Sequence, residues 1–66
     1  MKCVLKNKNY NTYLKYYKKI KFKHYVVDIN DATIFNKTEA KEMLKKFRHP
    51  ENWEIIETNR KEKEDV

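Results

Sequence analysis

The chain has 66 residues and a mass of 8.2 kDa, with 16 Lys plus Arg against 10 Asp plus Glu and a formal charge of +6. A chain this short forms one domain with a thin core, and its basic balance points to acidic partners. It contains no Gly, Ser or Gln and one Cys, which excludes glycine-dependent phosphate and dinucleotide loops, a serine nucleophile, an intramolecular disulfide and a cysteine-rich zinc site.

Lys2 to Lys6 is short and rich in β-formers, and Asn7-Lys8-Asn9 supplies turn chemistry in a chain without Gly, which predicts strand, hairpin turn, strand. The second strand, near Thr12 to Tyr17, sets Leu14 and Tyr16 on one face and Tyr13, Lys15 and Tyr17 on the other. A third strand, about Lys19 to Val27, alternates Ile20, Phe22 and Val26 with Lys19, Lys21, Lys23, Tyr25 and Val27, and puts His24 on the apolar side. Asp28-Ile29-Asn30-Asp31 then breaks the strand, because Asp and Asn bond their own backbone. A short extended piece, Thr33 to Phe35, follows.

Asn36 is placed to cap a helix, with Glu39 three residues on reaching back as in a capping box. Ala40, Met43, Leu44 and Phe47 fall on one helical face, and His49-Pro50 is expected to end the helix. Asn52 to Thr58 reads as a final strand with Trp53 and Ile55 on one side and Glu54 and Ile56 on the other. Residues 59–66 are nearly all charged and are expected to fray.

These faces predict an α+β domain over residues 1–58, an antiparallel sheet in the order β-β-β-(β)-α-β with one helix packed on one face. That face is expected to comprise Leu5, Leu14, Ile20, Phe22, Val26, Trp53 and Ile55. A homodimer through an edge strand or the aromatic face suits so small a core. No apolar run exceeds three residues, so neither a signal-peptide core nor a membrane span is expected, and with a lone Cys3 the expectation is a cytoplasmic protein.

Charge is uneven. Residues 1–27 carry eight Lys and no acid, whereas residues 28–66 carry eight basic and ten acidic residues; six of the nine aromatic residues also lie in the first part. With the strand phases above, Lys2, Lys6, Tyr13, Lys15, Tyr17, Lys21, Lys23 and Tyr25 converge on the sheet face opposite the helix. Lysines there would neutralise phosphate or carboxylate, and Tyr rings offer flat surfaces on which bases stack.

Other constellations are weaker. Asp28 through Glu39 imitates the ends of a calcium loop, but Ala32 stands where a ligand is needed and Thr33 where the turn needs Gly. Cys3, His24 and His49 lack zinc spacing, so His24 reads as a half-buried residue and Cys3 as a small core residue. Glu51, Glu54 and Glu57 do not share one strand face, and no convergent acid–base pair is apparent. The expectation is a protein with no cofactor, no metal and no catalytic activity.

The run Asp31-Ala32-Thr33-Ile34-Phe35-Asn36-Lys37-Thr38-Glu39-Ala40, then Leu44 and Phe47, then Trp53-Glu54-Ile55-Ile56-Glu57, resembles a pattern of small phage-encoded accessory proteins of AT-rich Gram-positive hosts. It is also loosely similar to the strand-and-helix module that precedes some ribonuclease H enzymes and binds duplex nucleic acid, although that module uses Gly in its loops. The phage resemblance implies a binder that inhibits or redirects a host macromolecule, such as a defence or nucleic-acid-processing complex, acting in the host cytoplasm. The alternative is a module that binds single-stranded DNA or RNA directly through the same basic, Tyr-rich face.

Overall fold

The structure is a computed structural model that describes residues 2–58; the fraying expected of residues 59–66 lies outside the described residues. In chain order the elements are β1 (Lys2–Asn7), β2 (Thr12–Tyr17), β3 (Phe22–Val26), β4 (Phe35–Asn36), α1 (Lys37–Lys45) and β5 (Trp53–Glu57), with 3-10 turns at Ile29–Asp31 and Pro50–Asn52. All pairings are antiparallel, so the domain is the α+β arrangement that the alternating faces predict.

β1 is the central strand. β5 takes one of its edges from Cys3 to Asn7, which leaves the other edge to be shared by two strands. β4 pairs there at Lys2 and Cys3, and β2 at Lys6 and Asn7. Beyond Lys6 and Tyr13, β2 therefore departs from β1, and Thr33 fills the fork. The Thr33 N–H donates to the Leu14 carbonyl at 3.0 Å, its Oγ1 accepts from the Tyr16 N–H at 2.7 Å, and its hydroxyl faces the Tyr16 carbonyl at 3.4 Å. One residue thus satisfies the β2 backbone groups that a continuous ladder would otherwise have satisfied.

Alternation along β1 sends Cys3 and Leu5 toward α1, where they form the core with Leu14, Phe35, Ala40 and Met43. Tyr16, Leu44, Phe47, Trp53 and Ile55 close its margin. Val4 points the other way and is 0% exposed. On that outer face it opposes Ile56 across the β5 ladder, and continuing the β4 register places Ile34 on its other side. β1 is buried on both faces, which accounts for its three consecutive apolar residues, Cys3-Val4-Leu5.

The helix begins as its capping residues require: the Glu39 N–H donates to Asn36 Oδ1 at 2.8 Å and the Asn36 N–H to Glu39 Oε1 at 3.0 Å. It ends at Lys45, before the expected stop at His49-Pro50. Lys46 and Phe47 instead donate to the carbonyls of Met43 and Leu44, both at 3.1 Å, a tightening that turns Phe47 onto Trp53 with ring centroids 4.8 Å apart. The extended piece expected at Thr33 to Phe35 pairs as a ladder only at Phe35 and Asn36, because Thr33 is occupied in the fork.

The third strand departs most from expectation. It starts at Phe22, since Lys18 to Lys21 form a turn closed by the Lys21 N–H to the Lys18 carbonyl at 3.3 Å. Tyr17 pairs with Phe22 and Lys15 with His24. Directly opposed residues share a face, so Phe22, His24 and Val26 lie on the outer face with Tyr17 and Lys15, and Lys23 and Tyr25 lie on the α1 side. The predicted phase is inverted: Phe22 and Val26 do not face the helix, and Ile20 sits in the turn at 71% exposure.

Without glycine, both hairpin turns place another residue in the left-handed region, Asn11 at φ 54° and Lys21 at φ 52°. Asn accepts that geometry more readily than Lys does. Replacing Lys21→Gly is expected to stabilise the fold by about 1 kcal/mol, read as a melting temperature higher by about 4–8 °C. Thr33→Val, which keeps the shape and removes the hydroxyl, should leave the Tyr16 N–H without its partner and cost about 1–3 kcal/mol. A urea midpoint unchanged in that variant would contradict the fork's structural role.

Candidate binding surface on the β2–β3 hairpin

β2 leaves the β1 ladder at the fork, and the inner side of the β2–β3 hairpin lies beside α1 and its end, with Lys18 near Glu39 and Lys23 at the Phe47 ring, while its outer side faces away from the helix. Among the described residues, five of the six large apolar side chains that are exposed belong to it or its immediate end: Tyr17, Ile20, Phe22, Tyr25 and Val27, Tyr10 being the sixth. The same stretch carries Lys15, Lys18, Lys19, Lys21 and Lys23 and no acid. Exposed apolar surface and lysine charge are therefore concentrated in one hairpin.

On its outer face, three rings form a cluster with Phe22 at its corner. Tyr17 and Phe22, paired across the strands, have centroids 6.1 Å apart with planes inclined by 30°, and Phe22 and His24, two residues apart on β3, are 6.2 Å apart and inclined by 22°. These distances are at the long end for aromatic pairs, and Tyr17 and Phe22 remain 42% and 50% exposed. The Lys15 ammonium lies 5.9 Å from the Tyr17 centroid, close enough for a weak cation–π contact.

The inner face of the hairpin has a structural task. Lys23 Nζ stands 4.9 Å from the Phe47 ring, Phe47 stacks on Trp53, and Trp53 meets Tyr25 at 5.7 Å. This series joins the hairpin to the end of α1 and to β5. Lys18 adds an exposed ion pair to Glu39 at 3.6 Å, which contributes little in water.

Of the residues expected to form one basic aromatic face, Lys2, Lys6, Tyr13, Lys15 and Tyr17 do share the outer face by strand alternation and register. Lys21 is in the turn, and Lys23 and Tyr25 are on the opposite side, engaged with Phe47 and Trp53. The convergence of all eight is thereby corrected. Glu54 opposes Lys6 on the outer face, so the positive charge is offset on the β1 side, while at the hairpin tip Lys18 pairs with Glu39. Phe22 and His24, assigned from the sequence to the apolar side, are exposed members of the ring cluster; the signal that would have placed them is the length of the turn. Four residues between the paired Tyr17 and Phe22 bring an odd-numbered residue of β2 opposite an even-numbered one of β3.

No family model, curated protein or solved structure matches this chain. The hairpin's chemistry must then be judged from its own geometry. A groove of about 300 Å³ beside it, between β2 and α1, has Tyr16, Phe35 and Met43 at its floor and Glu39, Glu42, Lys18 and Lys46 at its rim. Among the described residues, no cluster of three or more His, Cys, Asp or Glu side chains is placed to hold a metal, and no helix is long and apolar enough to cross a membrane. Cys3 is buried, its thiol donating to the Phe35 carbonyl at 3.4 Å, and burial pushes its pKa above the usual thiol value. It behaves as a small core side chain.

The two faces of the hairpin should respond differently to substitution. Phe22→Leu is expected to change stability by less than about 0.5 kcal/mol, as for an exposed position. Trp53→Ala, which breaks the Tyr25–Trp53–Phe47 series, should cost about 3 kcal/mol. Thermal melts of the two variants check this; equal losses would mean that the outer rings also hold the fold.

Proposed function

We propose that this chain is a non-enzymatic accessory protein of the phage type, which binds a host macromolecule and inhibits or redirects it through the β2–β3 hairpin. The observation that carries the reading is the coincidence, on that one hairpin, of the exposed aromatic rings with five lysines and no acid. An exposed apolar patch on a small domain is costly in solubility unless something covers it in use. Lysines around it favour an acidic partner and speed encounter.

The resemblance of residues 31–40, 44, 47 and 53–57 to small phage-encoded proteins supports the role, with a host defence or nucleic-acid-processing complex as the class of target. The scaffold suits a binder, since the core, the fork and the capped helix hold the hairpin in place while leaving its outer face open.

The test compares immobilised wild-type protein with a Lys15→Gln, Lys21→Gln variant in lysate from an AT-rich Gram-positive host. Both lysines can be neutralised without touching the core, unlike Lys23. A surface ion pair contributes up to about 1 kcal/mol, so losing two should weaken capture of the specific partner by roughly tenfold, most at low salt. Equal capture by the variant would show that the hairpin's charge serves solubility and not binding.

A further inference from the structure

We infer that the outer face of the hairpin takes single-stranded nucleic acid, with successive bases on Tyr17, Phe22 and His24 and phosphates beside Lys15 and Lys21. The inference rests on the binding role proposed above and names the chemistry of the partner. Three observations separate this ligand from a generic polyanion.

First, the exposed groups are rings set around a corner of the ladder. Phe22 lies 6.1 Å from Tyr17 across the strands and 6.2 Å from His24 along β3, with modest inclinations, an arrangement on which bases splayed from a strand that turns at Phe22 each meet a ring. An aliphatic patch would serve a protein partner equally well, but flat π faces are what a base requires. Sheet-borne aromatics that hold two or three bases are a recurrent solution for single strands, whose bases can be splayed out.

Second, cations border the ring cluster. Lys15 already lies at the Tyr17 ring, held only by a weak exposed contact from which it can swing to a phosphate, and Lys21 follows in the turn directly before Phe22. Third, no acidic residue occurs anywhere in residues 1–27, and the carboxylate that register places on the outer face, Glu54, stands opposite Lys6 on the far side of β1. A duplex would present its phosphates to this surface but keep its bases stacked away from the rings.

The experiment titrates the full chain into fluorescently labelled ten-nucleotide oligodeoxythymidine and, separately, a ten-base-pair duplex, at low and near-physiological salt. Tyr17→Leu and Phe22→Leu preserve apolar bulk on exposed positions while removing a ring. The single strand should bind more tightly than the duplex, each Leu variant should weaken it by roughly 5- to 150-fold, and Tyr17→Phe should retain it. The slope of log affinity against log salt should stay the same in the ring variants and become shallower in Lys15→Gln, Lys21→Gln.

Strand and duplex bound alike, with the ring variants unaffected and the lysine variant weakened, would overturn the stacking while leaving the cationic hairpin as the binding element. No oligonucleotide binding at low salt would overturn the inference as well. If the host partner in that case is still lost with the lysine variant, the partner is an acidic protein. Melting curves of each variant confirm that a loss is not a loss of fold.

Discussion

The structure turns on one edge of β1 that two strands must share. With β5 along the opposite edge, β4 and β2 divide what remains, and Thr33 enters between them with both its amide and its hydroxyl bonded to β2. A buried backbone donor without a partner is costly, so this single residue allows β2 to leave the β1 ladder while still satisfied. The hairpin β2–β3 lies beside α1 on its inner side, and its outer face is left uncovered.

The division of labour between the two faces of the hairpin is a consequence of register. Lys23 and Tyr25 reach back to Phe47 and Trp53 and tie the ribbon to the domain, whereas Tyr17, Phe22 and His24 look outward. A small domain has little apolar area to spare. Tyr17 and Phe22 are left half exposed on the outer side, and Tyr25 keeps 55% exposure on the inner side beside Trp53, an arrangement that folding alone does not require. In charge, Glu54 answers Lys6 near the centre of the sheet, and at the hairpin Glu39 answers Lys18 at 3.6 Å.

Much of the scaffold was legible in the residues themselves. The bounds of β2, the Asn36–Glu39 capping box, the Ala40–Met43 stripe and the split of Trp53 and Ile55 from Glu54 and Ile56 are local signals, and local physics decides them. The candidate surface was legible only in part. Ile20, Phe22 and Val26 form an alternating apolar series that normally marks a buried strand face, but register is set by the turn, and the Lys18 to Lys21 turn consumes the residues assumed to begin the strand. Tyr17 opposite Phe22 then turns that series outward. Sequence alternation records which residues share a face; it does not record which face has a neighbour, and α1, ending at Lys45, covers none of the outer side.

The double burial of β1 also shapes how the chain reaches its native state. β1 pairs with β5 from Cys3 opposite Glu57 to Asn7 opposite Trp53, so the strand nearest the start of the chain is completed by the last strand described. Contacts of such long sequence separation require a large loop closure before they return any stabilisation, and they slow folding. During synthesis the apolar run Cys3-Val4-Leu5 waits, without its main partner, until β5 emerges. The β2–β3 hairpin, by contrast, needs only neighbouring residues. The element that faces the outside world can form early, and the strand that organises the core is the last to be secured.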